Sequence, residues 1–251
     1  MTVTLPTDQK VAFRALALIA ALSFSHGSLA GLVFSDDFSD GNADGWSFVG
    51  NNSGFWSVIG GELVSDAPTG YIGGGRGFAV IDGVTTPDAF TLEASVRVIT
   101  DQNGSDYGHI GFGWGINTAN VSQSNVLYAR THSNHITHFS PSSGESIFGP
   151  LALTNDVSYQ LSLTVDRDAR AMTTSISGGA LAGVQSITYT DATFDALNAV
   201  TGGAVGLITW GDKLAYDNIR LSVPDTGSVP APATLALLGL GLLGLRLRRG
   251  A

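Results

Sequence analysis

Cysteine is missing from all 251 residues, so the chain has no disulfide framework and no thiol nucleophile. Charge is sparse as well. Asp, Glu, Lys and Arg make up 13% of the residues, and Glu occurs only as Glu62, Glu93 and Glu145. Cations are scarce in the middle: residues 31–230 hold seven Lys and Arg against twenty Asp and Glu, a net charge of −13. A surface of that sign repels nucleic acid and anionic lipid, which excludes a nucleic-acid partner. The 3.6-residue periodicity of helices is absent there too. What is present is 43% hydrophobic residues and 33 glycines. That composition argues against a disordered acidic chain. About two hundred residues suffice for one sizeable β domain that needs no disulfide.

The two ends differ from this middle. Near the N-terminus, Lys10 and Arg14 precede an apolar run from Ala15 to Phe24, and Ser28-Leu29-Ala30 follows as a small-x-small site. This is the pattern of a signal peptide, residues 1–30, cleaved after Ala30. The other end reads Val229-Pro230-Ala231-Pro232-Ala233, then an apolar run, then Arg246, Arg248 and Arg249. Ala233 to Leu245 is 13 residues, about 20 Å as a helix, against a bilayer core of ~30 Å. Snorkelling arginines shorten that gap and favour the cytoplasmic side. Residues 224–233 therefore read as a linker with a processing motif, and 234–251 as a short transmembrane helix with its arginine cluster. This tail resembles the PEP-CTERM sorting signal of Gram-negative bacteria through Pro230, Pro232, the short apolar helix and the three arginines. Ala231 stands where that family usually has Glu. The resemblance implies export, transient anchoring in the inner membrane, and cleavage near the prolines by an exosortase-type enzyme. It also implies a setting of extracellular polysaccharide.

Residues 31–223 carry strand signals almost throughout. Phe90, Leu92, Ala94, Val96 and Val98 alternate with polar residues. Tyr159, Leu161, Leu163 and Val165 do the same, and Ile110, Phe112, Trp114 and Ile116 alternate with His109, Gly111, Gly113 and Gly115. Turn clusters such as Ser39–Gly45 and Gly60-Gly61 separate such runs. Ala192 to Ala199 is the one stretch expected to make a helical turn. Many short strands predict an all-β antiparallel sandwich or barrel. The ends of this region carry a second resemblance. Asp36-Asp37-Phe38-Ser39-Asp40-Gly41 with Gly45-Trp46, then Trp56-Ser57-Val58 with Gly61-Glu62-Leu63, resemble the opening of concanavalin A-like, laminin-G-type domains. Ala215-Tyr216-Asp217-Asn218-Ile219-Arg220-Leu221 is similar to their closing strand. The resemblance implies a two-sheet jelly-roll β-sandwich whose terminal strands lie side by side. Such domains bind carbohydrate, hydrolyse it, or join proteins together.

Catalytic patterns are missing. A retaining glycosidase needs two carboxyls about 5–5.5 Å apart, and the three glutamates stand alone in sequence. Asp166-x-Asp168 reads as a solvated loop beside Arg167 and Arg170. The chain is expected to be non-catalytic, with a glycosidase or a purely structural matrix protein as the competing readings. His132, His135 and His138 invite a zinc site, but strand parity separates His138 from His135, and solvated hairpin histidines are expected. A structural calcium ion is the candidate cofactor, because side-by-side end strands bring Asp36 and Asp37 toward Asp217. Hydrogen-bonded aspartates are the competing reading. For a carbohydrate site, the glycines Gly111, Gly113 and Gly115 predict a bare floor, with Tyr128, Arg130 and His132 as its wall. A row of glycines equally marks the close approach of another part of the protein.

Overall fold

Alternation of large apolar and small polar residues turns nearly every run between Gly31 and Val223 into a strand. The computed structural model describes residues 31–51, 53–66, 76–100, 109–130, 135–141, 144–148, 153–179, 181–210 and 213–224. The expected signal peptide, sorting motif and membrane helix lie outside them. Among the described residues no helix is long and apolar enough to cross a membrane.

Two antiparallel sheets form. The first runs, in spatial order, β13 (Gln185–Thr190), β12 (Ala171–Gly178), β11 (Ser158–Asp166), β6 (Ala89–Thr100), β15 (Lys213–Val223), β4 (Glu62–Asp66) and β3 (Trp56–Ile59). Its eighth strand, β1 (Gly31–Asp36), pairs with the second half of β15, from Ile219 to Val223. The second sheet runs β10 (Gly144–Phe148), β9 (His135–Ser140), β8 (Asn125–Arg130), β7 (His109–Ile116), β14 (Ala204–Trp210), β5 (Gly77–Thr85) and β2 (Trp46–Gly50). The terminal strands are neighbours, with Gly31 opposite Val223, as the jelly-roll resemblance implies. The one described α-helix, α1 (Asp191–Leu197), occupies the stretch expected to turn helical and buries Phe194 and Leu197. Two strands carry no pattern strong enough to announce them. β2 is short and β10 interleaves polar residues, and each exists by pairing with a neighbour.

The core lies between the sheets. Phe90, Leu92, Ala94, Val96 and Val98 of β6 face Ile110, Phe112 and Trp114 of β7 within one buried cluster. Burying each large side chain of this kind stabilises by about 1.5–3 kcal/mol. Two bulges set which residues join it. Asn218 sits at φ 51 where the β15–β6 register slips between Asp217 and Arg220. Tyr216 and Ile219 therefore both point inward, and Arg220 points out. Gly115, at φ 61, does the same for β7, where the register slips against β14. Ile116 consequently leaves the row of Ile110, Phe112 and Trp114 in which simple alternation places it, and joins a separate cluster on the other side of the sheet. A bulge adds a residue to one strand and so inverts the parity beyond it.

The N-terminal turn cluster is held by one carboxylate. Asp36 accepts the Phe38 N–H and the Trp46 indole N–H, each at 2.8 Å. Phe34 packs edge-on to Trp46 at 5.2 Å. The opening motif thus closes on itself as a staple around a tryptophan.

Polar groups cross the core at Tyr216 and at His138, and Asn198 links Trp114 of β7 to Met172 of β12. Tyr216, on β15 and fully buried, accepts the N–H of Gly111 in the other sheet at 2.7 Å. Its hydroxyl also reaches the carbonyls of Ile208 and Gly111. At the far end, His138 of β9 is fully buried, its ring nitrogens 3.0 Å from the Thr174 hydroxyl and 3.2 Å from the Tyr189 hydroxyl. The expected solvation of the histidines fails for His138, because strand parity aims it into the core. Side-chain placement of His135 and all of His132 lie outside the described residues.

Two outcomes follow from these crossings. Tyr216→Phe leaves the buried Gly111 N–H without its acceptor and is expected to lower stability by about 1–3 kcal/mol in denaturant unfolding. An unchanged midpoint refutes the cross-sheet role. Burial holds His138 neutral, with its pKa lowered to about 3. The unfolded chain takes up a proton below its ordinary value near 6.5, and the folded chain does not. The stabilisation is therefore complete above about pH 6.5 and falls by up to about 1.4 kcal/mol per pH unit toward about pH 3. His138→Gln should flatten the fall in melting temperature between pH 7 and pH 4 relative to the parent. Parallel curves for the two proteins count against it.

Candidate functional site

Gly111 and Gly113 of β7 lie on the outer face of the seven-stranded sheet, away from the inter-sheet core, while the bulge takes Gly115 out of their row. The floor is not bare. A Cβ on Gly111 would stand 2.0 Å from the Leu127 carbonyl oxygen, and one on Gly113 2.6 Å from the Phe78 ring. At Gly115 it would meet the Val200 carbonyl at 2.9 Å. The protein's own backbone and one aromatic ring take up the space these glycines leave. Tyr128 pairs with Gly111 across β7–β8. It is buried in the outer cluster with Phe78, Val80, Ile116, Val126 and Ile208. Glycine is needed at Gly111 because a neighbouring strand's carbonyl sits where any side chain would begin.

One step toward the end of the sheet the row changes character. Register sets Trp210 of β14 opposite His109 of β7, His109 opposite Arg130 of β8, and Arg130 opposite His135 of β9. These positions share the parity of Ile208, Gly111 and Tyr128. Trp210 is half-buried, and the Arg76 guanidinium lies 5.7 Å from the centre of its ring, within cation–π range. So Arg130 comes together with Tyr128 on one strand, as the spacing predicts, and His132 lies outside the described residues. Trp210, Arg76 and His109 went unread as site residues. Trp210 ends its strand before Gly211-Asp212, and Arg76 sits in a glycine run, so only the strand order makes them neighbours.

The acidic corner is assembled but committed to hydrogen bonds. Asp36 is occupied by Phe38 and Trp46. Asp37 accepts the Ser39 N–H, and the hydrogen bonds from Ser39 hold its carboxyl below the usual range. Asp217 accepts from the Asn218 backbone and amide, each at 2.7 Å. Burial, then Glu62, Asp37 and Asp36, pushes the Asp217 carboxyl up against the pull of those bonds. The repulsion behind the calcium expectation is present. Among the described residues no three His, Asp or Glu gather as a metal-binding group. A hollow of about 550 Å³ beside this corner is lined by Asp36, Asp37, Asp40 and Arg220, among others.

The glutamates are dispersed. Glu62 is hydrogen-bonded twice by Arg97, which also reaches Asp156 at 3.3 Å. Glu93 is exposed on the outer face of the eight-stranded sheet, opposite Ser162 and Arg220. Asp166 accepts the Ala169 N–H at 2.8 Å in a tight turn, the solvated loop expected there.

Comparison with known proteins bears on both parts of the chain. Residues 228–249 match the PEP-CTERM protein-sorting motif. Among curated proteins nothing matches. Among solved structures the sandwich is similar to peanut lectin, with a TM-score of 0.55 and 13% identity over 77% of this chain and 98% of that one. It is similar to the acidic lectin of winged bean in complex with methyl-α-D-galactose, with a TM-score of 0.54 and 13% identity over 76% and 97%. A GH43 protein of Bacillus licheniformis gives a TM-score of 0.54 and 11% identity over 75% of this chain and 39% of that one. The domain thus has a lectin-like jelly-roll fold, and residues 228–249 match the sorting motif. At these identities the likeness concerns the fold.

One outcome is specific to the glycine row. Gly113→Val drives a branched side chain into Phe78 and is expected to cost about 1–3 kcal/mol of stability. Adding Phe78→Leu should restore part of it. Full stability of Gly113→Val alone would mean that Phe78 does not fill this space.

Proposed function

We propose that this chain is an exported surface or matrix protein whose jelly roll binds extracellular polysaccharide at the end of the seven-stranded sheet. The observation that carries this is the cross-strand row of Trp210, His109, Arg130 and His135, with Arg76 against Trp210. An aromatic ring stacks on the C–H face of a sugar, while guanidinium and imidazole groups bond its hydroxyls. Tyr128 and the glycine row form the packed base beneath this row rather than the contact surface. The galactoside complex of the winged bean lectin supports a carbohydrate ligand for the fold, not this particular site. An exosortase-type enzyme is the processing partner, acting near Pro230 and Pro232 after transient anchoring in the inner membrane. The GH43 likeness favours a glycoside hydrolase as the second reading.

Binding to a panel of purified polysaccharides tests this. Trp210→Ala and Arg130→Ala should each weaken retention about tenfold, or ~1.4 kcal/mol. Thr188→Ala on the opposite sheet should not. Equal retention by all three removes this face as the site, and release of reducing sugar by the parent protein favours the hydrolase. Mass spectrometry of exported protein should find an N-terminus at Gly31 and no peptide containing Arg248. An intact C-terminus outside the cell would sink the processing scheme.

A further inference from the structure

The two edges of the eight-stranded sheet share a feature that the sugar-binding reading leaves unused. Four large hydrophobic residues are exposed among the described residues: Leu32, Val33, Ile59 and Val184. All four lie at those edges. Val184 leads into β13, which ends the sheet on one side and, among the described residues, pairs only with β12. Leu32 and Val33 belong to β1, which among the described residues pairs only with β15. Ile59 closes β3, the last strand on that same side. Folded proteins usually blunt such edges with lysines, prolines or other charges, because an open row of N–H and C=O groups is a template for another strand. Here β13 reads Gln-Ser-Ile-Thr-Tyr-Thr and β1 reads Gly-Leu-Val-Phe-Ser-Asp. Together they hold one charge, Asp36, in a domain whose middle region carries −13. The two strands have the same length, six residues each. Helix α1 follows β13 directly, yet four of the six β13 residues stay exposed. The bulge at Val33 twists β1 without hiding its apolar side chains.

We propose that the eight-stranded sheet continues from one copy of this chain to the next, β13 of one molecule adding to β1 of its neighbour. The occupant is a second copy because each molecule presents both halves of such a joint: matched length, low charge, and apolar side chains at each edge. Unlike edges join, so the contact is heterologous and leaves one free edge at each end. The assembly is therefore open. Strand addition supplies the main-chain hydrogen bonds, and Val184 meets the Leu32–Val33 edge. The acidic remainder of each copy opposes this, so screening by salt strengthens it. The inference is independent of sugar binding.

The test uses the full chain, produced in an exporting host and followed by sedimentation. The parent should form species that grow with concentration and with salt. Val184→Lys with Thr188→Lys blocks one edge, and Leu32→Lys with Val33→Lys blocks the other. All four positions are exposed, and circular dichroism verifies that each variant folds. Ser186→Lys serves as a second block on β13. Each blocked variant alone should be a monomer. An equimolar mixture of the two should give a heterodimer and stop, since one intact β13 and one intact β1 remain. A parent that stays monomeric at all concentrations overturns the proposal. So does a blocked variant that still dimerises alone, which would mean like edges join. Association persisting in both variants would place the contact elsewhere, for example in the terminal apolar segments.

Discussion

A single phenolic oxygen fastens the two sheets at the middle of the sandwich. Tyr216 stands on β15, and its hydroxyl takes the Gly111 N–H of β7 while reaching the Ile208 carbonyl of β14. Main-chain groups of a central strand ordinarily satisfy one another. Here one of them is satisfied by a side chain from the opposite layer, through a core that is largely apolar. Dispersion and burial are non-directional and allow two sheets to slide. A buried hydrogen bond has one geometry, and breaking it leaves an unsatisfied group in an apolar setting. Tyr216 therefore fixes the register between the layers. His138 repeats the device near the far end with Thr174 and Tyr189.

The position of Tyr216 depends in turn on a bulge. Without the extra residue at Asp217-Asn218, inward parity could not include both Tyr216 and Ile219. The same extra residue separates the half of β15 that pairs with β4 from the half that pairs with β1. The staple of Asp36 around Trp46 then lies beside the closing strand. The opening and closing motifs are adjacent because each serves this joint. The clustering of Asp36, Asp37 and Asp217 follows from that adjacency, and it adds to the burial that raises the Asp217 pKa.

The outer face of the second sheet shows how packing redistributes what spacing suggests. Gly111 and Gly113 face outward, yet their space goes to a carbonyl and a ring, and at the Gly115 bulge the loop at Val200 closes in. Register sets the positions of Trp210, His109, Arg130 and His135 one row along. The first sheet ends in low-charge strands with exposed apolar residues.

Local chemistry made much of this legible in the sequence. Alternation in Phe90–Val98 and Tyr159–Val165 requires strands with one buried face, because side chains on a strand alternate sides. The arginine cluster after a short apolar run identifies the tail, because the pattern is local and needs no fold. Strand order, by contrast, depends on contacts between residues far apart in the chain. Alternation cannot announce a one-residue bulge, so the departure of Ile116 from its row was invisible. The burial of His138 was equally so, since its partners Thr174 and Tyr189 come from a different sheet. Trp210 and Arg130 are separated by eighty residues of chain and joined only through β7. The sequence by itself determined that residues 31–223 form an antiparallel all-β domain, because period and composition are properties of short segments. Only the tertiary structure decided which residues face a ligand and which face the core, because that depends on register, and register is set by distant strands meeting.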